Sequence, residues 1–151
     1  MKIQFDILKK SRELTLKAIE GLTLEQLHTI PDGFKNNIAW NVAHMIVTQQ
    51  LLLYKMSDLD CLIPDELIDE NRKGTSPTRN FTEEEFAEIK ELLVGLPDTL
   101  REDFEEGIFE KYTVYPTSTG FVLDSFKTAV HFNNYHEGLH LGIILSLKKL
   151  V

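Results

Sequence analysis

The sequence predicts an all-α protein, an antiparallel up-and-down bundle of four helices formed by residues 1–151 as one domain. Three observations carry that expectation. Four long segments space their apolar residues at helical intervals, loops rich in Pro, Gly and small polar residues separate them, and neither a βαβ rhythm nor an internal repeat occurs.

In the first segment Ile3, Phe5, Leu8, Leu14, Leu16, Ala18, Ile19 and Leu22 recur at broadly three-to-four spacing, and Gly21 offers a stop. The stretch TLEQLHTIPDGFKNN follows, with the Pro-Asp-Gly punctuation of a turn. A second helix is expected from Asn36 or Asn37, either of which can cap it, to about Met56. Residues 57–80 read as irregular, with room for one helical turn. The third helix opens on Thr82-x-x-Glu85, a capping box, and turns Phe86, Ile89, Leu92 and Leu93 inward. Gly95 and Pro97 predict a break or kink, with a continuation from about Asp98 to Glu106. The stretch EKYTVYPTSTG (110–120) alternates like a strand but contains Pro116 and Gly120. One strand cannot bury itself, so an extended connection is expected. The last helix should start near Val122 and run almost to Val151.

A chain of 151 residues buries a real core, roughly 70% of its unfolded surface. Its formal net charge is −8, and no Lys/Arg cluster is denser than Arg72-Lys73 or Lys148-Lys149. Neither nucleic acid nor an anionic membrane is therefore expected as a partner. The N-terminus lacks the apolar centre of a signal peptide, and no run approaches the ~18 apolar residues of a membrane span. The cytoplasm is the expected compartment. Cys61 is the single cysteine, so no internal disulfide forms; its acidic neighbours disfavour a thiolate, which points to a structural thiol.

Chemistry enters with H-E-G-L-H, residues 136–140, which matches the zinc-protease pattern H-E-x-x-H. Helical spacing sets His136 and His140 about 6 Å apart on one face, two neutral nitrogen donors for a borderline metal. A protease of this type takes a third ligand downstream. Only 11 residues follow His140, and they contain no His, Asp or Glu. The protease reading fails there. Upstream, His28 sits in a turn-rich connection, and His131 lies roughly 140° round the helix from His136. His44 is different: it stands mid-helix on one face with Trp40, Val47, Thr48 and Leu51. From the residues alone, His44, His136 and His140 are either a three-His metal site or satisfied core histidines. A di-iron reading of Glu25…His28 and Glu137…His140 fails, because the first unit is too short and His44 would have no task.

The stretches N-N-I-A-W-N-V-A-H (36–44) and Y-H-E-G-L-H-L-G (135–142), with I-D-E-N-R-K-G-T-S-P-T-R-N-F-T (68–82) between them, resemble the DinB-like superfamily of four-helix metalloproteins. The resemblance implies a divalent metal, commonly zinc or nickel, held in a cleft by His44, His136 and His140. It also implies small-molecule substrates, a low-molecular-weight thiol among them, as in the bacillithiol- and mycothiol-dependent transferases and isomerases, and frequent homodimers. The chain departs from the family where Ile143 replaces the Gln of a terminal H-x-G-Q, and where Phe132 stands in place of a further His.

Three neutral histidines leave a coordination position open, the pattern of catalytic rather than structural metal. Thiol transfer and metal-assisted hydrolysis both suit such a position, as does a non-catalytic stress-response or binding module in which the metal staples two helices. Glu137, about 60° of helix rotation from His140, is the expected acid/base. Asn133 and Thr48, one turn from His136 and His44, are placed to orient imidazoles. Trp40 and Tyr135 are candidates to line the cleft. Arg72, Lys73 and Arg79 lie in the long loop, where they would meet an anionic substrate or simply face solvent.

Overall fold

The computed structural model describes residues 1–151. The elements, in chain order, are α1 (Lys2–Ile19), α2 (Leu24–His28), α3 (Ile38–Gln49), α4 (Asp65–Asn71), α5 (Glu83–Glu106), β1 (Tyr115–Pro116), β2 (Val122–Leu123) and α6 (Phe126–Leu147). Beyond Gln49 the second long helix widens into a π turn over Gln50–Tyr54 and tightens into a 3-10 turn over Lys55–Ser57. Asp58, left-handed at φ 63°, ends it. Side chains of Thr23, Asn37, Thr82 and Ser125 accept a backbone N–H at the starts of α2, α3, α5 and α6. Each satisfies a donor that the first helical turn leaves free.

Three boundaries differ from expectation, each for a local reason. The turn-rich stretch after Gly21 contains a short helix, α2, opened by a capping box between Thr23 and Gln26. No break occurs in α5 at Pro97. Proline withholds the N–H that the Leu93 carbonyl would accept four residues back; Arg12 Nη1 donates to that carbonyl instead, at 3.3 Å. And α6 starts at Phe126 rather than Val122. Ser125 caps it, while Val122 and Leu123 pair with Pro116 and Tyr115 in a small antiparallel hairpin. The strand-like segment at 115 thus finds its partner in residues expected to be helical.

The four long helices form the expected bundle, but their directions do not alternate. Asn134 donates to the Gln4 carbonyl and Lys148 to that of Ala18, so α1 and α6 run parallel. Lys9 pairs with Asp98 and Asp6 with Arg101, so α1 and α5 are antiparallel. The contacts of Asn41 and His44 with His140 and His136 set α3 antiparallel to α6. Consequently α3 and α5 run the same way. The long connection through α4 makes this possible, because it carries the chain back along the bundle before α5 begins.

Two apolar clusters build the interior. One gathers Ile38, Val42, Ile46, Phe86, Leu93 and Ile144 among others; the second gathers Phe5, Leu8, Leu53, Leu100, Phe126 and Val130. Polar side chains are buried too. On α1 the inward face reads Phe5, Leu8, Arg12, Thr15 and Ile19, whereas Ile3 and Leu14, expected in the apolar stripe, are exposed. The Arg12 guanidinium is fully buried and grips Glu137 through Nε–Oε2 and Nη2–Oε1, both 2.7 Å. Its Nη2 also donates to Gln49 Oε1 and to the Met45 carbonyl, each at 3.1 Å. All four helices meet at this one guanidinium. No helix is long and apolar enough to cross a membrane.

Candidate metal centre

The site is assembled where α3 faces α6. The run Ile38–Val47 is buried without interruption, so His44 is fixed by the packing of its whole helix. Its Nδ1 lies 2.7 Å from the Asn71 carbonyl at the end of α4. A carbonyl only accepts, so Nδ1 carries the proton and Nε2 presents a lone pair. The Thr48 hydroxyl, one turn on, stands 3.3 Å from that Nε2. Trp40 stacks on the other face of the ring, centroids 4.5 Å apart and planes 11° from parallel, with its Nε1–H on Thr75.

His140 is oriented the same way by a different partner. Its Nδ1 lies 2.8 Å from Asn41 Oδ1, and the Asn41 amide is fixed because its Nδ2 donates to the Asn37 carbonyl at 2.7 Å. Here too Nδ1–H donates and Nε2 is left as a donor to a cation. His136 has no such partner: its Nδ1 is buried and unpaired, as are both polar atoms of Asn133 one turn earlier. Thus Asn133, expected to orient an imidazole, makes no hydrogen bond to His136, whereas Thr48 does reach its histidine.

The three imidazoles converge. Ring centroids are 4.3 Å apart for His136–His140, 4.7 Å for His44–His140 and 5.1 Å for His44–His136. One nitrogen from each lies within 4.8 Å of the others. Bonds of about 2.0–2.1 Å to a tetrahedral ion would set such nitrogens roughly 3.4 Å apart. The rings therefore need to close by about an ångström. The donor set, the two fixed tautomers and the unpaired Nδ1 of His136 all fit a divalent metal.

A cleft of ≈ 380 Å³ opens on these rings. Leu51, Leu52, Met56 and Phe132 form an apolar wall, so the position where relatives carry a further His here contributes hydrocarbon. Tyr115 and Thr117–Thr119 of the hairpin, and Lys73 from the loop after α4, line the remainder.

Other expected residues fall elsewhere. Glu137 lines no part of the cleft; it is 0% exposed with both oxygens on Arg12. Burial pushes its carboxyl up and Arg12 draws it back down; two bonds of 2.7 Å are those of an ionised carboxylate in a guanidinium fork. Nothing leaves it free to move a substrate proton, and the acid/base expectation is corrected accordingly. Trp40 is buried behind His44, and Tyr135 points out to solvent. Arg79 pairs with Glu70 and Glu85, and Arg72 lies 3.7 Å from Asp69. His131 is exposed. His28 is structural: Nδ1 donates to the Leu24 carbonyl at 2.8 Å, and Nε2 accepts the Phe81 N–H at 2.9 Å. Burial pushes the Cys61 thiol up, in keeping with an inert cysteine.

Sequence reasoning missed Asn41 and the Asn71 carbonyl. Asn41 had a signal, a polar side chain inside an otherwise apolar helical run; the Asn71 contact, a backbone group 27 residues away, had none.

Burial lowers all three imidazoles below the ordinary histidine value. His136 is brought to about 2, helped by the nearby His140, His44 and Arg12 charges, and His140 to about 4, helped by His44. His44 is lowered by burial against the opposing pull of the Asn71 carbonyl. In the unfolded chain each takes up a proton near pH 6.5. Between that pH and the folded values the unfolded state binds more protons, so stability of the metal-free protein falls as pH falls below about 6.5. Urea midpoints measured in chelator should drop from pH 7 to pH 5, by less in His136→Leu than in the wild type. A wild-type midpoint equal or higher at pH 5 would contradict the arrangement.

The family model of the DinB superfamily matches residues 7–144 of the chain. No curated protein matches the chain.

Proposed function

The chain belongs to the DinB superfamily, and on that premise we propose that it is a metal-dependent enzyme acting on a small substrate, with transfer of a thiol to an electrophile as its reaction. The observation that carries the reading is the convergence of His44, His136 and His140, two with tautomers fixed, at the base of an open cleft. A divalent ion there supplies Lewis acidity at a position that three protein ligands leave open. The chain's own part is to keep three imidazoles neutral by burial and to aim two of them, His44 through the Asn71 carbonyl and His140 through Asn41. Its apolar wall of Leu51, Met56 and Phe132 excludes water from a reacting pair. In the transfer, the thiol proton passes to solvent, a sulfur–carbon bond forms, and the carbon's bond to its leaving group breaks.

Hydrolysis is the weaker alternative for a specific reason. A hydrolase of this kind relies on a carboxylate base, and no Asp or Glu lines the cleft. That asymmetry favours transfer.

The test begins with elemental analysis of protein exposed neither to chelator nor to a nickel column. About one divalent ion per chain is expected, zinc and nickel being the first candidates, although three-His sites also take copper or iron. Trp40, the single tryptophan, stacks on His44, so titration with cobalt should quench its fluorescence. Metal-loaded protein should then accelerate the reaction of small thiols with a chromogenic electrophile relative to metal-free protein. Protein that is metal-free and refuses added zinc and nickel would sink the reading. Metal without acceleration would leave a stapled, non-catalytic bundle in its place.

A further inference from the structure

The cleft has a charge pattern unlike the rest of the surface. The chain contains 24 Asp and Glu residues and carries a net charge of −8, yet no carboxylate lines the cleft. Its one charged lining residue is Lys73. The two arginines of the same loop are engaged, Arg79 by Glu70 and Glu85 and Arg72 beside Asp69, whereas Lys73 takes part in no ion pair. The hairpin lends hydroxyls to the same cleft. Thr117 and Thr119 bond one another and Thr117 also bonds Phe121, which fixes the loop; the Tyr115 and Ser118 hydroxyls have no protein partner. The same cleft is lined by the apolar side chains of Leu51, Met56 and Phe132.

We propose that this cleft recognises a small molecule with an anionic end, a carboxylate or phosphate that pairs with Lys73 and accepts from the Tyr115 and Ser118 hydroxyls, while an apolar stem lies on the Leu51–Met56–Phe132 wall. Like charges repel, so an acidic protein discourages anionic ligands over most of its surface. A pocket from which carboxylates are absent, and into which one unpaired ammonium projects, reverses that bias locally. A charge-assisted hydrogen bond is stronger than a neutral one, and its preference survives partial exposure. The hairpin and the loop after α4 are then the specificity-determining parts, and the histidines are not. The proposal rests on the reading that the cleft is the substrate site.

Two probes of equal length separate the elements, 6-mercaptohexanoate and 6-mercaptohexan-1-ol, titrated calorimetrically into zinc-loaded and metal-free protein. The acid should bind about two- to fivefold more tightly than the alcohol in both forms, as a partly exposed ion pair allows. Lys73→Gln should remove that preference from the metal-free protein, and Lys73→Glu should turn it towards the alcohol. Lys73 is exposed and unpaired, so neither substitution threatens the fold. Equal affinities for acid and alcohol in metal-free wild type, or a preference that survives Lys73→Gln there, would overturn the proposal. Failure of the metal reading shows differently: zinc would then leave the affinity for both thiols unchanged, while the acid preference and its loss in Lys73→Gln would still uphold the anion site.

Discussion

Arg12→Met should destabilise the protein by about 3–5 kcal/mol, the largest loss expected from any single substitution on α1. The cause is not the missing guanidinium as such but what it leaves behind. Glu137 would be a carboxylate with 0% exposure and no counterion. The carbonyl of Leu93, already deprived of a helical donor by Pro97, would lose the only substitute it has, and Gln49 Oε1 would lose its donor. For a domain of this size the loss corresponds to a melting temperature lower by roughly 10 °C or more.

The pair can be told from a merely well-packed arginine by removing both charges. Arg12→Met with Glu137→Leu should recover most of the stability, because a buried ion pair replaced by hydrocarbon of similar volume is often neutral. Adding Pro97→Ala returns an N–H to the Leu93 carbonyl and should recover about 1 kcal/mol more. Denaturant midpoints of the single, double and triple variants check this series. A double variant as unstable as Arg12→Met would show that the carboxylate was not the problem. Glu137→Gln should also weaken the fold, because a neutral amide would face the buried guanidinium, so a loss of rate in that variant would not identify a proton-transfer group.

Much of this was legible in the residues. Helical spacing in α1, α3, α5 and α6, and the Thr82-x-x-Glu85 box, gave elements close to those observed. The His44, His136 and His140 convergence followed from an i, i+4 pair and one misplaced polar residue on an apolar face. What could not be read were the effects carried by one residue on behalf of another. The α5 helix passes through Pro97 because of Arg12, which is 81 positions from Leu93. The sequence presents Glu137 as a motif residue between two histidines; only the partner on α1, 125 positions away, makes it a core residue. The parallel run of α3 and α5 likewise depends on where α4 and its loops carry the chain, and loop composition says nothing of direction. Local rules reached the elements and the ligand face; long-range polar partners decided which polar residues were chemical and which were structural.

His44→Ala should release the metal, as should His136→Ala and His140→Ala, because the three side chains hold it as a unit. Structural zinc sites bind with roughly 10–16 kcal/mol over four ligands, on the order of 3 kcal/mol each, so each loss should weaken binding about a hundredfold or more. In wild type, excess metal stabilises the folded chain by mass action. Each of the three variants should lose that gain, and with it the cobalt quenching of Trp40. The controls separate ligation from general damage. His131 is exposed and its replacement by alanine should change neither reading. His28→Ala should keep the metal yet lower stability, since His28 bridges Leu24 and the Phe81 N–H. Asn41→Ala is the graded case. It leaves all three imidazoles but frees the tautomer of His140, and such supporting partners typically matter by 10–100-fold in metal affinity. Of the six variants His44→Ala decides the assignment, because it alone removes a ligand supplied by α3 to the pair on α6. Full occupancy in that protein, with occupancy lost in His136→Ala, would mean that a different group completes the site.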